Sequence, residues 1–157
     1  MKVKDLMTTE VQAIGASQSL GDAACLMWEH DIGCVPVVDD SRKVLGMLTD
    51  RDIAMSAFLN GKALSDIASA TARSRNAVCC LEDDDVETVM KQMGSNQVHR
   101  MPVVNDDAML VGVVSLNDCA NAYRSHNRSM KAKDISDTLA SICQHAEDHL
   151  PQFAAAS

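Results

Sequence analysis

Two stretches of this chain spell one pattern at a constant spacing. Gly46-Met47-Leu48-Thr49-Asp50-Arg51-Asp52 and Gly112-Val113-Val114-Ser115-Leu116-Asn117-Asp118 both read G-x-x-[ST]-x-x-D, with their glycines 66 positions apart. The same offset carries Val35-Pro36-Val37-Val38 onto Met101-Pro102-Val103-Val104, Leu20 onto Val86, Met27 onto Met93 and Asp40 onto Asp106, without a gap. Such a duplication confines the fold to two copies of one supersecondary unit. A chain of 157 residues can bury roughly 70% of its unfolded surface, whereas either half alone is marginal. The copies are therefore expected to pack with pseudo-two-fold symmetry around a cleft lined twice by equivalent residues.

The unit itself is legible. Ser19 precedes Leu20, Ala23, Ala24 and Met27 at helical spacing, which predicts a capped helix from about Leu20 to His30. The runs from Cys34 to Val38 and from Val44 to Thr49 are short and rich in β-branched residues, and the turn-forming Asp39-Asp40-Ser41 separates them, so they predict two strands. A second helix follows from Asp50 to about Leu59, with Asn60-Gly61 as its stop. The second copy repeats the order: a helix from about Asp85 to Met93, strands near Arg100 to Val104 and Leu110 to Ser115, then a helix to about Arg124. Asp83, Asp84 and Asp85 before the third helix read as a cap with a favourable dipole interaction.

The expected fold is therefore α/β (α+β): two units, each helix-strand-strand-helix. Their division is 1–70 for the first, 71–128 for the second, and 129–157 for a C-terminal amphipathic helix with a loose end. Lys4-Asp5-Leu6-Met7 and Ser65-Asp66-Ile67-Ala68 read as lead-ins to the two copies. The polar linker from Thr71 to Asn76 carries Arg73 and Arg75, which read as solvated charges or as cations entering the second copy where a phosphate could be reached. In the tail, Ile135, Leu139, Ile142, Ala146 and Leu150 recur at three- and four-residue steps up to Pro151, a stripe that packs on its own domain or on a partner.

A net charge of −8 argues against binding nucleic acid or an anionic membrane through bulk electrostatics. No apolar run approaches a membrane span and no basic-then-apolar leader is present, which predicts a cytoplasmic protein. The six cysteines contain no C-x-x-C pair and read as small hydrophobes in a reducing compartment. His145 and His149 stand at i and i+4, but they lack a third ligand and the zincin glutamate, so no metal site is expected. No P-loop, Rossmann glycine pattern or nucleophile-base set is present, so no catalytic residues are assigned.

The repeated motif has its own chemistry. Gly46 and Gly112 leave room for a flat ligand near the backbone. Thr49 and Ser115 fall at helix N-termini, where free N–H groups and the dipole favour an anion. Asp52 and Asp118, in the first turn, suit the vicinal hydroxyls of a ribose. Each Thr/Ser–Asp pair on its own also reads as a plain helix cap. That both copies keep glycine, hydroxyl and carboxylate in register is what favours a nucleotide.

With V-P-V-V or M-P-V-V ahead of G-x-x-[ST]-x-x-D in each copy, the chain resembles a tandem pair of cystathionine-β-synthase (CBS) domains, a Bateman module, over about Val3 to Arg124. The resemblance implies a regulatory, energy-sensing module that binds adenine nucleotides (AMP, ADP or ATP) between the domains, requires no cofactor, forms a homodimer and signals to a regulated protein. It implies ribose contacts from Asp52 and Asp118, phosphate contacts near Thr49 and Ser115, and an adenine slot lined by Val35 and Met101. His99-Arg100 resembles a phosphate-contacting pair of the family. The first copy departs from it with Gly33-Cys34, and carries Arg51 inside its motif where the second copy has Asn117, which would give each site a phosphate-facing cation at a different place. Two alternatives remain: a ligand-free dimerising scaffold, or a sensor of NAD(H), S-adenosylmethionine or cyclic di-AMP.

Overall fold

The computed structural model describes residues 1–73, 77–125 and 130–144. The first repeat runs through strand β1 (Ile14–Gly15), helix α1 (Leu20–Glu29), strands β2 (Cys34–Val38) and β3 (Val44–Thr49), helix α2 (Asp50–Asn60) and a short helix α3 (Ser69–Ala72). The second runs through β4 (Cys80–Leu81), α4 (Val86–Ser95), β5 (Arg100–Val104), β6 (Leu110–Ser115) and α5 (Leu116–Arg124), and α6 (Ala132–Ile142) follows. The four strands expected from β-branched runs are present over the same residues. Ser19 caps α1 as expected, accepting from the Asp22 N–H at 3.1 Å, and Gly61 ends α2 in the left-handed conformation at φ 59°.

Each repeat forms a three-stranded sheet in the order β1-β2-β3 or β4-β5-β6, its first strand parallel and its last antiparallel to the middle one. The two-residue strands β1 and β4 are too short to leave a periodic trace in the sequence. Their shortness accommodates the prolines. β1 pairs only with Val37 and Val38, and β4 only with Val103 and Val104, so Pro36 and Pro102 face no partner on that side.

The lead-ins are exchanged. Val3, at the start of the chain, is fully buried in the core of the second repeat, among Cys80, Val86, Met90, Met101 and Val103. Ile67 is buried in the core of the first, with Leu20, Val35, Val37 and Leu48. The backbone bridges Lys2–Asp85 and Ser19–Ala68 are related by the 66-residue offset, so the exchange is symmetric. By that offset the turn at Val3–Asp5 corresponds to α3, and the likeness of Lys4–Met7 to Ser65–Ala68 is local only.

This exchange also corrects the role of the acidic triplet. Asp85 is the N-cap of α4, yet its carboxylate caps nothing. It pairs with Lys2 at 3.1 Å, Asp83 pairs with Lys4 at 2.6 Å, and Asp84 accepts from the Leu81 N–H at 2.9 Å. The N-terminal ribbon lies across the start of α4 and supplies the cap itself: the Val86 N–H donates to the Met1 carbonyl at 3.1 Å.

Helix α6 packs on α4 and α5, so the tail covers its own second repeat. Gly94 permits the approach, since a Cβ there would lie 3.2 Å from Ser141 Cβ and 3.9 Å from Thr138 Cα. Ile142 is buried and Ile135 packs beside it. Ala146, Leu150 and Pro151, like Arg75 and the His145/His149 pair, lie outside the described residues. The residue of the first repeat equivalent to Gly94 is Trp28, and it is 88% exposed.

Among the cysteines, Cys34, Cys80 and Cys119 are buried and Cys25 and Cys143 are exposed. Burial pushes the Cys80 thiol up to about 12 and the Cys119 thiol up to about 11. Both are inert packing groups.

Candidate functional site

The two motifs fold identically. At the start of α2, Asp52 Oδ2 accepts from the Thr49 N–H at 2.8 Å and from Thr49 Oγ1 at 2.7 Å, while the Asp52 N–H donates to Thr49 Oγ1 at 3.1 Å. At the start of α5, Asp118 Oδ2 accepts from the Ser115 N–H at 2.8 Å and from Ser115 Oγ at 2.6 Å, and the Asp118 N–H donates to Ser115 Oγ at 3.2 Å. These are capping boxes with aspartate at the fourth position. The cap and the ligand roles therefore coexist in each carboxylate: Oδ2 is committed to the helix, and Oδ1 accepts no hydrogen bond among the described residues.

Two clefts open between the repeats. One, of about 420 Å³, is lined by Ser115, Asp118, Val113 and Arg100 of the second repeat, by His30, Ile32, Cys34 and Pro36 of the first, and by Thr8, Glu10, Val11 and Gln12. The other, of about 400 Å³, is lined by Thr49, Asp50, Met47, Gly33 and Cys34 of the first repeat and by Ala77, Val78, Gln97, Val98, His99 and Arg100 of the second. The 66-residue offset maps one onto the other: Ser115 onto Thr49, Val113 onto Met47, Val11-Gln12 onto Ala77-Val78, Ile32 onto Val98. The twice-lined junction expected from the duplication is thus present as two clefts, each with a helix N-terminus on one wall and apolar side chains on the other.

Not every candidate residue reaches them. Ser115, Asp118 and Arg100 line the Asp118 cleft, and Thr49, His99 and Arg100 line the Thr49 cleft. Asp52 is half-buried but lies outside the lining of its own cleft, and Arg51 and Asn117 are exposed on the first turns of their helices, outside both. Arg51 therefore does not line a cleft as Arg100 does.

Val35 and Met101 are fully buried in the two cores and line no cleft. Successive side chains of a strand point to opposite faces, so with Val35 and Val37 inward it is Cys34 and Pro36 that face the junction. That alternation was the signal for the lining residues.

Gly112 also answers a different need from the one expected. A Cβ there would lie 2.6 Å from Met7 Sδ and 3.1 Å from the Thr8 carbonyl, so the glycine admits the protein's own N-terminal segment, bridged at Thr8–Val113, and not a flat ligand. Gly46 is its buried equivalent on β3, paired with Val37.

Burial raises the pKa of the Cys34 thiol, and the Arg100 guanidinium beside it opposes that rise. Cys34 and Arg100 are themselves equivalent under the offset, so they meet at the pseudo-two-fold axis. No group of three or more His, Cys, Asp or Glu is placed to hold a metal ion among the described residues. No described helix is long and apolar enough to cross a membrane.

Twin repeats with exchanged lead-ins around two equivalent clefts define a paired-domain module. The family model described as the CBS domain matches residues 3–57 and 65–125, and the chain belongs to that family. It is 38% identical over 122 residues to the CBS domain-containing protein YhcV of Bacillus subtilis, covering 75% of this chain and 82% of that one. It is similar to Hypoxic Response Protein I, solved with two coordinated zinc ions, at TM-score 0.71 and 30% identity over 77% of this chain and 98% of the other. It is also similar to the CBS domain pair of protein MJ0100, solved with 5-methylthioadenosine and S-adenosyl-L-methionine, at TM-score 0.68 and 28% identity over 78% of this chain and 99% of that pair.

Proposed function

We propose that this chain is a cytoplasmic regulatory module without catalysis of its own, which binds an adenine nucleotide between its repeats and passes occupancy to a second protein. The observation that carries the reading is the Asp118 cleft. It combines a helix N-terminus, a carboxylate with one uncommitted oxygen, an arginine and an apolar wall from the other repeat. Together these match a nucleotide: diol on Asp118, phosphate near Ser115 and Arg100, base against Ile32, Pro36 and Val113. The adenosine ligands of the MJ0100 pair support the ligand class. Isothermal titration against AMP, ADP, ATP, NAD(H), S-adenosylmethionine and cyclic di-AMP tests it. Saturable binding of at least one adenosine compound is expected, and heat from none would leave only the scaffold reading.

For a ligand to act as a switch it must bind two arrangements unequally. We infer that the arrangements belong to a homodimer. Trp28 on α1, 88% exposed, and Phe58 and Leu59 on α2, 80% and 73% exposed, form the apolar outer face of the first repeat. In the second repeat α6 covers Gly94, the equivalent of Trp28, whereas Arg124 and Ser125, the equivalents of Phe58 and Leu59, are exposed and polar. The packing of α6 on Gly94 supports a packed partner at Trp28, and a second copy brings the same apolar residues to it. Trp28→Glu together with Phe58→Asp is expected to turn a dimer into a monomer by light scattering at micromolar concentration. A monomeric wild type would defeat the proposal.

A further inference from the structure

We propose that Arg100 is a single cation shared by two anion subsites, so that a phosphate chain bound in one cleft withdraws it from the other. The inference rests on the nucleotide reading of the two clefts and adds a rule for how they interact. Arg100 lines both clefts. No lysine and no other arginine lines either one among the described residues. Among the described residues the offset explains why Arg100 has no twin: the position related to it is Cys34, which also faces both clefts and touches Arg100 across the axis. The duplication would have placed one cation per cleft, but a thiol replaces one of them.

Arg100 contacts the Cys34 thiol and has no carboxylate partner among the described residues. It is half-buried. In a chain of net charge −8, with Glu10 and Asp118 in one cleft and Asp50 in the other, an unpaired guanidinium is where a phosphate gains most. Arginine–phosphate pairing is charge-assisted and geometrically selective, so one guanidinium cannot serve two separated phosphate chains equally well. The second anion meets a cleft whose cation is taken and whose carboxylates remain. Neutral adenosine makes no such demand and fills both clefts independently.

The test is a titration of the full chain with adenosine, ATP and pyrophosphate. Wild type is expected to bind two adenosines, and the gap between the first and second affinities is expected to be at least about tenfold wider for ATP than for adenosine. Pyrophosphate is expected to bind one equivalent only. Arg100→Cys, which places in the second repeat the residue the first already holds there, should abolish pyrophosphate binding and narrow the gap between the two ATP affinities to that seen with adenosine. Cys34→Arg should tighten the second ATP. Since Cys34 is buried, misfolding of that variant is covered by Arg100→Cys, which decides alone. Two equal ATP sites in wild type, or ATP binding indifferent to Arg100→Cys, would overturn the shared cation while leaving the nucleotide reading intact. One pyrophosphate lost in Arg100→Cys without any adenosine binding would retain the shared cation and overturn the nucleoside.

Discussion

Replacing Val3 with aspartate is expected to unfold the second repeat, from a position at the start of the first. Val3 is fully buried against the core made by Cys80, Val86, Met90, Met101 and Val103. Its backbone N–H donates to the Asp84 carbonyl at 3.0 Å, which pins it to the entrance of α4. A carboxylate at that point has no cation within the core, because Lys2 and Lys4 point outward to Asp85 and Asp83. Burying an unpaired charge or expelling the ribbon to avoid it costs about 3–5 kcal/mol, a large share of the roughly 5–15 kcal/mol that holds a domain together. Urea unfolding followed by circular dichroism should show the midpoint fall steeply. Hydrogen exchange locates the damage: protection should be lost first in α4, β5 and β6. Ile67→Asp is the mirror experiment, and it should expose α1, β2 and β3 first. Loss confined to the first repeat in Val3→Asp would refute the exchange of lead-ins.

That exchange marks a boundary of what the sequence could tell. The strands were legible end to end because Cys34–Val38, Val44–Thr49, Arg100–Val104 and Leu110–Ser115 are β-branched runs bounded by turn residues, and local pattern decides such segments. Ser19, Thr49 and Ser115 cap helices for the same local reason. Which repeat a lead-in packs on is settled by the path of the chain, and nothing within Lys4–Met7 encodes it. The site divides along the same line. Ser115, Asp118, Thr49, His99 and Arg100 were legible as motif positions and reach the clefts. Val35 and Met101 were assigned to the clefts by family resemblance, although alternation along β2 and β5 turns them inward and Cys34, Pro36 and Arg100 outward. Arg51 and Asn117 sit one residue before the motif aspartates, on the exposed side of the first turn. Docking of α6 depends on one pair of equivalent positions, Gly94 and Trp28, whose meaning appears only once the helices are in place.

Asp118→Ala is expected to weaken adenosine binding at its cleft about tenfold or more, and Ser115→Ala is expected to leave it within about threefold. The difference follows from how the carboxylate is shared. Both substitutions open the capping box, in which Asp118 Oδ2 accepts from the Ser115 N–H and hydroxyl at 2.8 and 2.6 Å, so both should cost about 0.5–2 kcal/mol of stability. Only Asp118→Ala also removes Oδ1, the oxygen left to receive a sugar hydroxyl, and a hydrogen bond to a charged acceptor is worth about 1.5–3 kcal/mol. Adenosine is the right probe because it has no phosphate to lose contact with Ser115. At the other cleft the same box binds Asp52 Oδ2 at 2.8 and 2.7 Å, but Asp52 stands outside the lining, so Asp52→Ala should cost stability with a smaller loss of affinity. Thermal melts without ligand give the capping contribution of each variant, and calorimetric titration with adenosine gives the remainder. Equal affinity losses in Asp118→Ala and Ser115→Ala, tracking their stability losses, would reduce the motif to a helix cap. A loss confined to Asp118→Ala would assign the diol to its free oxygen.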